Sequence, residues 1–114
     1  MKTTKMVWTT LFIDNDDCSQ SIFVFGTQLD AMRSVGAEMA SWLEFHEEDA
    51  DPALDRLAVK INECDYYAAL DIWNAWQDAH GTGLELIVSE QSLVTDIPLP
   101  VCNRKVKASS QNAA

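Results

Sequence analysis

Two histidines (His46 and His80), three cysteines (Cys18, Cys64 and Cys102) and eighteen carboxylates are the side chains of this 114-residue chain with the chemistry to bind or react. A zinc site would need both histidines with thiolates or carboxylates at ligand spacing, and neither histidine belongs to a recognised ligand pair. The cysteines are odd in number, widely spaced and without a C-x-x-C. Met1–Met6 has two lysines but no apolar h-region behind them. Together these features predict free thiols in a reducing cytoplasm. Cys64 falls beside a predicted helix start, and the ordinary role of such a residue is packing. Asp14-Asn15-Asp16-Asp17-Cys18 begins like a calcium loop. It then has Ser19 where the sixth position needs glycine and Phe25 where the twelfth needs glutamate, so it reads as a turn. Gly81-Thr82-Gly83 lacks the Lys-Ser/Thr of a phosphate loop, and no G-x-S-x-G or H-E-x-x-H is present. The expectation is a protein without catalytic residues, metal or cofactor.

The carboxylates are a different matter. Formal charge is −10, with 8 basic against 18 acidic side chains, which argues against direct nucleic-acid binding. Lys2, Lys5, Arg104, Lys105 and Lys107 lie near the two ends. Between Met6 and Asn103 only Arg33, Arg56 and Lys60 face all 18 acids, so that span carries a formal −15. The densest stretch holds Glu44, Glu47, Glu48, Asp49, Asp51 and Asp55. A second spot is Asp14, Asp16 and Asp17, and a third lies along Glu63, Asp65, Asp71 and Asp78. A solvated surface that keeps the protein soluble would look like this. So would a surface for a basic partner: duplex DNA carries one charge per ~1.7 Å of axis, and a carboxylate array can occupy a site built for phosphates.

The elements that must position these residues are legible in outline. At 47% hydrophobic and 23% charged the composition is globular, and 114 residues fit one domain. No apolar run approaches the ~20 residues of a membrane helix. Val7 to Ile13 is β-branched and aromatic and reads as a strand, apolar on both faces and therefore central or doubly covered. The Asp14–Asp17 turn and Ser21–Phe25 complete an antiparallel hairpin. Thr27 with Asp30 resembles a capping box for a helix over about 28–45, with Leu29, Met32, Gly36, Met39, Ala40 and Leu43 on one stripe. Asp51-Pro52 opens a second helix carrying Leu54, Leu57, Ala58 and Ile61. Asp65 caps a third that ends at His80-Gly81. Leu84–Ser89 predicts a third strand, and Ser92–Ile97 allows a fourth before Pro98 and Pro100. The fold class is α+β: an antiparallel three- to four-stranded sheet with about three helices on one face, order ββαααβ(β). It spans residues 1–102, ahead of a basic polar tail over 103–114 expected to be disordered.

Four tryptophans stand in the chain, and the third helix bears Tyr66, Leu70 and Trp73 as well as Tyr67, Ala69, Ile72 and Trp76. That apolar arc exceeds one packing face, so the helix is either sandwiched or meets a partner through aromatic anchors. In size, ββααα-type order, acid excess from Asp14 to Asp96 and the helix D-Y-Y-A-A-L-D-I-W-N-A-W, the chain resembles small acidic phage-encoded anti-defence proteins of the anti-CRISPR and anti-restriction type. The resemblance implies a stoichiometric, non-enzymatic inhibitor that blocks a nucleic-acid site on a nuclease effector complex. The partner contacts expected from the residues are Glu44, Glu47, Glu48, Asp49, Asp51 and Asp55, with Tyr67 or Trp76 as an apolar anchor. Alternatives are an immunity or antitoxin protein against a nuclease toxin, a small ligand-binding or enzyme domain using Cys64 or His80, and a homodimer.

Overall fold

The computed structural model describes residues 4–94 and 98–104. Its elements run β1 (Thr4–Asp14), β2 (Ser19–Phe25), α1 (Gln28–Glu44), α2 (Pro52–Asn62), α3 (Tyr66–His80) and β3 (Leu84–Val94). The sheet order is β2-β1-β3, antiparallel throughout, so the strand with two apolar faces is the central one. The possible fourth strand is not a separate element where it is described. Nothing at Glu90-Gln91 turns the chain, and Ser92–Val94 continue β3 against β1; residues 95–97 lie outside the described residues. Residues 98–104 form neither helix nor strand, and the remainder of the basic tail lies outside the described residues.

Local chemistry sets most boundaries. Asp14 Oδ1 accepts from the amides of Asp16 (3.1 Å) and Asp17 (3.2 Å), which closes the β1–β2 turn. The Asn15 amide then donates to Gly83 O at 2.8 Å and ties that turn to the start of β3. Gly83 has φ +78, and a Cβ there would sit 3.1 Å from Asp16 Oδ1, so only glycine fits. Thr27, Asp51 and Asp65 cap their helices by accepting from the amides of Asp30, Ala53 and Ala68, and Gly81 ends α3 in the left-handed region.

The helices lie on one face of the sheet. Val35, Met39, Leu54, Leu57, Ala69, Leu70, Trp73 and Leu86 form the core, with Phe12, Leu84 and Val88 packed against it. Of the α1 stripe, Met32, Gly36 and Met39 are buried whereas Leu29 is exposed. Tyr66 lies so close over Gly36 that α1 and α3 could not approach this way with a larger residue there. The wide apolar arc of α3 is explained by its place: it packs against α1, α2 and β3 at once. Asn74 adds a second tie to the sheet. Its amide donates to Leu86 O (2.9 Å) and its oxygen accepts from Leu86 N (3.0 Å), so the side chain pairs with the outer edge of β3 as another strand would.

Candidate functional site

The densest acids occupy the connection from α1 to α2. Glu44 ends α1, Glu47, Glu48 and Asp49 lie in the turns that follow, Asp51 caps α2 and Asp55 sits in its first turn. At α2 this placement is favourable, because carboxylates complement the positive pole of a helix. At α1 it is not. Glu44, Glu47 and Glu48 gather at a negative pole, and the last turn of α1 contains no basic residue. Among the described residues, no Lys or Arg nitrogen pairs with Glu44, Glu47, Glu48 or Asp55; Lys60 instead reaches Glu63 (3.9 Å) and Asp65 (4.0 Å).

A stack of rings holds this acidic turn in place. Trp42 and His46 stack with centroids 4.1 Å apart, and Trp76 and His80 stack at 3.7 Å. Trp42 meets Trp76 edge-on at 5.0 Å and Trp73 at 5.9 Å, so the order is His46, Trp42, Trp76, His80 with Trp73 beneath. Hydrogen bonds fasten both ends. Trp76 Nε1 donates to Asp51 Oδ2 at 2.7 Å, and Asp51 Oδ1 accepts from the Ala53 amide at 2.9 Å. These two bonds, the indole first, hold the Asp51 carboxyl below its usual range, against a smaller opposing effect of burial. His46 Nδ1 lies 2.7 Å from Asp49 Oδ2, and His80 Nδ1 lies 2.9 Å from Trp76 O. Both acceptors lack a proton to give, so each histidine carries its proton on Nδ1 and leaves Nε2 for solvent or a partner.

Phe45, between Glu44 and Glu47 in this acidic run, is 86% exposed. Beside it a groove of about 210 Å³ between α1 and α2 is lined by Leu43 and Ile61 with Glu44 and Glu47 among its walls. A second groove, of about 280 Å³, is bounded by Asp51, Arg56, Trp76 and His80. The first groove, an apolar floor beside Glu44 and Glu47, which no Lys or Arg among the described residues pairs, suits a Lys or Arg side chain, whose stem packs while its charge meets the acids.

Of the expected contacts, the structure brings Glu44, Glu47, Glu48, Asp49, Asp51, Asp55 and Trp76 to one end of the molecule. Trp76 is half-buried there and serves as the prop of the turn. Tyr67 is at the opposite end of α3, where its hydroxyl accepts from Gln28 Nε2 and it lines a separate cavity of about 340 Å³ with Arg33, Cys64 and Tyr66. In that cavity the Cys64 thiol, and then burial, push the Tyr66 phenol above its usual range. The sequence reading missed Phe45 and weighed His46 and His80 only as metal or pocket candidates, not as partners of the tryptophans. Its available signal was a repeated W-x-x-x-H, Trp42–His46 and Trp76–His80, which places tryptophan over histidine on one helix face. The Asp14–Asp17 spot joins a different cleft, of about 560 Å³, through Asn15, with Asp78, Glu85 and Gln77 in its wall.

Among the described residues, no three His, Cys, Asp or Glu side chains converge as a metal-ligand set, and no helix is long and apolar enough to cross a membrane. Comparison with protein-family models, with curated proteins and with solved structures finds no significant match to this chain.

Proposed function

We propose that this chain is a non-enzymatic acidic binding protein that occupies a basic, nucleic-acid-binding surface of a partner protein and so blocks access of nucleic acid. The partner class this fits is a CRISPR effector or another nuclease. The observation that carries the reading is the group of carboxylates at the negative pole of α1 that no Lys or Arg among the described residues pairs, beside exposed Phe45 in the chain. A local rule is broken there with no compensating base among the described residues, and such breaks concentrate where a surface serves a partner. The ring stack beneath lets the acids meet that partner with little further ordering, and such preorganisation reduces the entropic cost of association. Like-signed acids would steer encounter with a basic surface and disfavour acidic competitors.

The test compares tagged wild type with the triple variant E44K/E47K/E48K, which leaves the Asp49–His46 and Asp51–Trp76 bonds in place. Each is used to capture proteins from nuclease-treated host lysate at low salt, followed by elution in salt steps. The expected result is a basic nucleic-acid-binding protein that wild type retains, that added duplex DNA displaces, and that the variant does not hold. Equal capture by both proteins, or capture that DNA leaves untouched, would refute the reading.

A further inference from the structure

One face of the sheet is largely apolar and, among the described residues, bears no helix. The register places on it Lys5, Val7, Thr9, Leu11 and Ile13 of β1, Gln20, Ile22 and Val24 of β2, and Glu85, Ile87, Ser89, Gln91 and Leu93 of β3. Leu11 stands between Ile22 and Ile87 as an aliphatic row across all three strands. Ile22 is 63% exposed and Val24 61%, while Ile87 and Leu93 are exposed as well. Val7, opposite Gln91, is the one buried residue of this set, and Thr9 Oγ1 and Ser89 Oγ bond across the strands at 3.1 Å. Leu99 and Val101, in the described part of the C-terminal segment, are themselves exposed.

Charge distribution indicates what covers the face. In a chain with 18 acids, these thirteen positions include one acid, Glu85, and one base, Lys5. They sit at opposite ends: Lys5 pairs with Leu93, and Glu85 with Ile13. A two-fold axis lying in the face, perpendicular to the strands and passing through the Thr9–Ser89 row, would set Lys5 of each copy within reach of Glu85 of the other, with the Ile22–Leu11–Ile87 row of each copy lying over the Val7–Gln91 row of its partner. We propose that this face is the contact between two copies of the chain, packed sheet on sheet. Two strands of 11 residues, about 36 Å long, and one of 7, about 23 Å long, set about 4.8 Å apart, offer roughly 450 Å² per copy. Two copies thus bury on the order of 1,000 Å², the lower end of specific interfaces, which sets the expectation of a micromolar dimer rather than an obligate one. The acidic turn lies on the helical side and remains free in that arrangement.

Sedimentation equilibrium of the full chain from micromolar to millimolar concentration tests this. A reversible monomer–dimer equilibrium is expected. Ile22→Glu, at a position outside the core, should weaken it about 100-fold with melting temperature unchanged, since it buries an unpaired carboxylate in an apolar contact. Lys5→Glu and Glu85→Lys should each weaken it by about 2- to 5-fold, and the double variant K5E/E85K should restore it, because only the swap returns opposite charges to the two-fold contact. A monomer at every concentration overturns the proposal. So does association that Ile22→Glu leaves intact, the outcome expected for pairing through the β2 edge, or a double variant no tighter than the singles.

Discussion

Trp42 is the residue on which the acidic turn rests, and replacing it tests that directly. Its ring is half-buried, stacked on His46 and edge-on to Trp73 and Trp76. Full truncation of a buried tryptophan costs about 3–5 kcal/mol, so a half-buried one forfeits roughly 2. The two tryptophan pairs add about 0.5–1.5 kcal/mol each. Trp42→Ala should therefore destabilise by about 3–5 kcal/mol, a large share of the 5–15 kcal/mol typical of a domain. At about 4–8 °C per kcal/mol, the domain then melts about 12–40 °C lower. Far-UV circular dichroism in urea is the suitable assay, because it does not depend on the fluorophore being removed. Hydrogen exchange supplies the local readout. The amides of His46, Asp49 and Asp51, bonded to Leu43, His46 and Asp49 carbonyls, should lose more protection than those between β1 and β3. A loss below about 1 kcal/mol, or a uniform loss of protection, would refute the view that the ring stack fixes the turn.

Two further perturbations follow from the same packing. The folded Asp51 carboxyl titrates below its unfolded value, so its stabilising contribution is present above the unfolded value near pH ~4 and is lost as pH falls through the folded one. Trp76→Phe removes the largest cause of that shift. The stability advantage of wild type over Trp76→Phe should shrink as urea melts are taken from pH 6 toward pH 2, and a difference independent of pH would contradict the assignment. Asn74→Ala takes both bonds from Leu86 and leaves its amide and carbonyl unpaired at the strand edge, for an expected loss of about 2–3 kcal/mol in urea melts. A near-neutral result would mean that water replaces the side chain.

What could be read from the chain beforehand was local. Thr27, Asp51-Pro52, Asp65 and Gly81 act on amides and carbonyls within one turn, so three helices and their ends followed from residue order alone. The continuity of β3 past Ser89 did not, because Glu90 and Gln91 have little strand preference of their own and are held by pairing with Trp8 and Val7. The same limit applied to the site. The acids of residues 44–55 are contiguous, and their convergence on one end is a consequence of a short connection. The meeting of Trp42 and His46 with Trp76 and His80 depends on the crossing of α1 and α3, which no local pattern specifies. Tyr67 shares a helix with Trp76 but stands more than two turns away, beyond the reach of one surface.

The strand order has a consequence for how the chain is made. The central strand β1 comes first, and its partner β3 comes last. Once the β1–β2 hairpin has emerged, synthesis at about 5–20 residues per second leaves it waiting several seconds, while residues 26–83 are added, before β3 can pair. During that interval the inner edge of β1 and both of its apolar faces are open to other nascent chains. The segment being added meanwhile contains most of the carboxylates, and mutual repulsion among growing chains would hold those unfinished hairpins apart until the last strand closes the sheet.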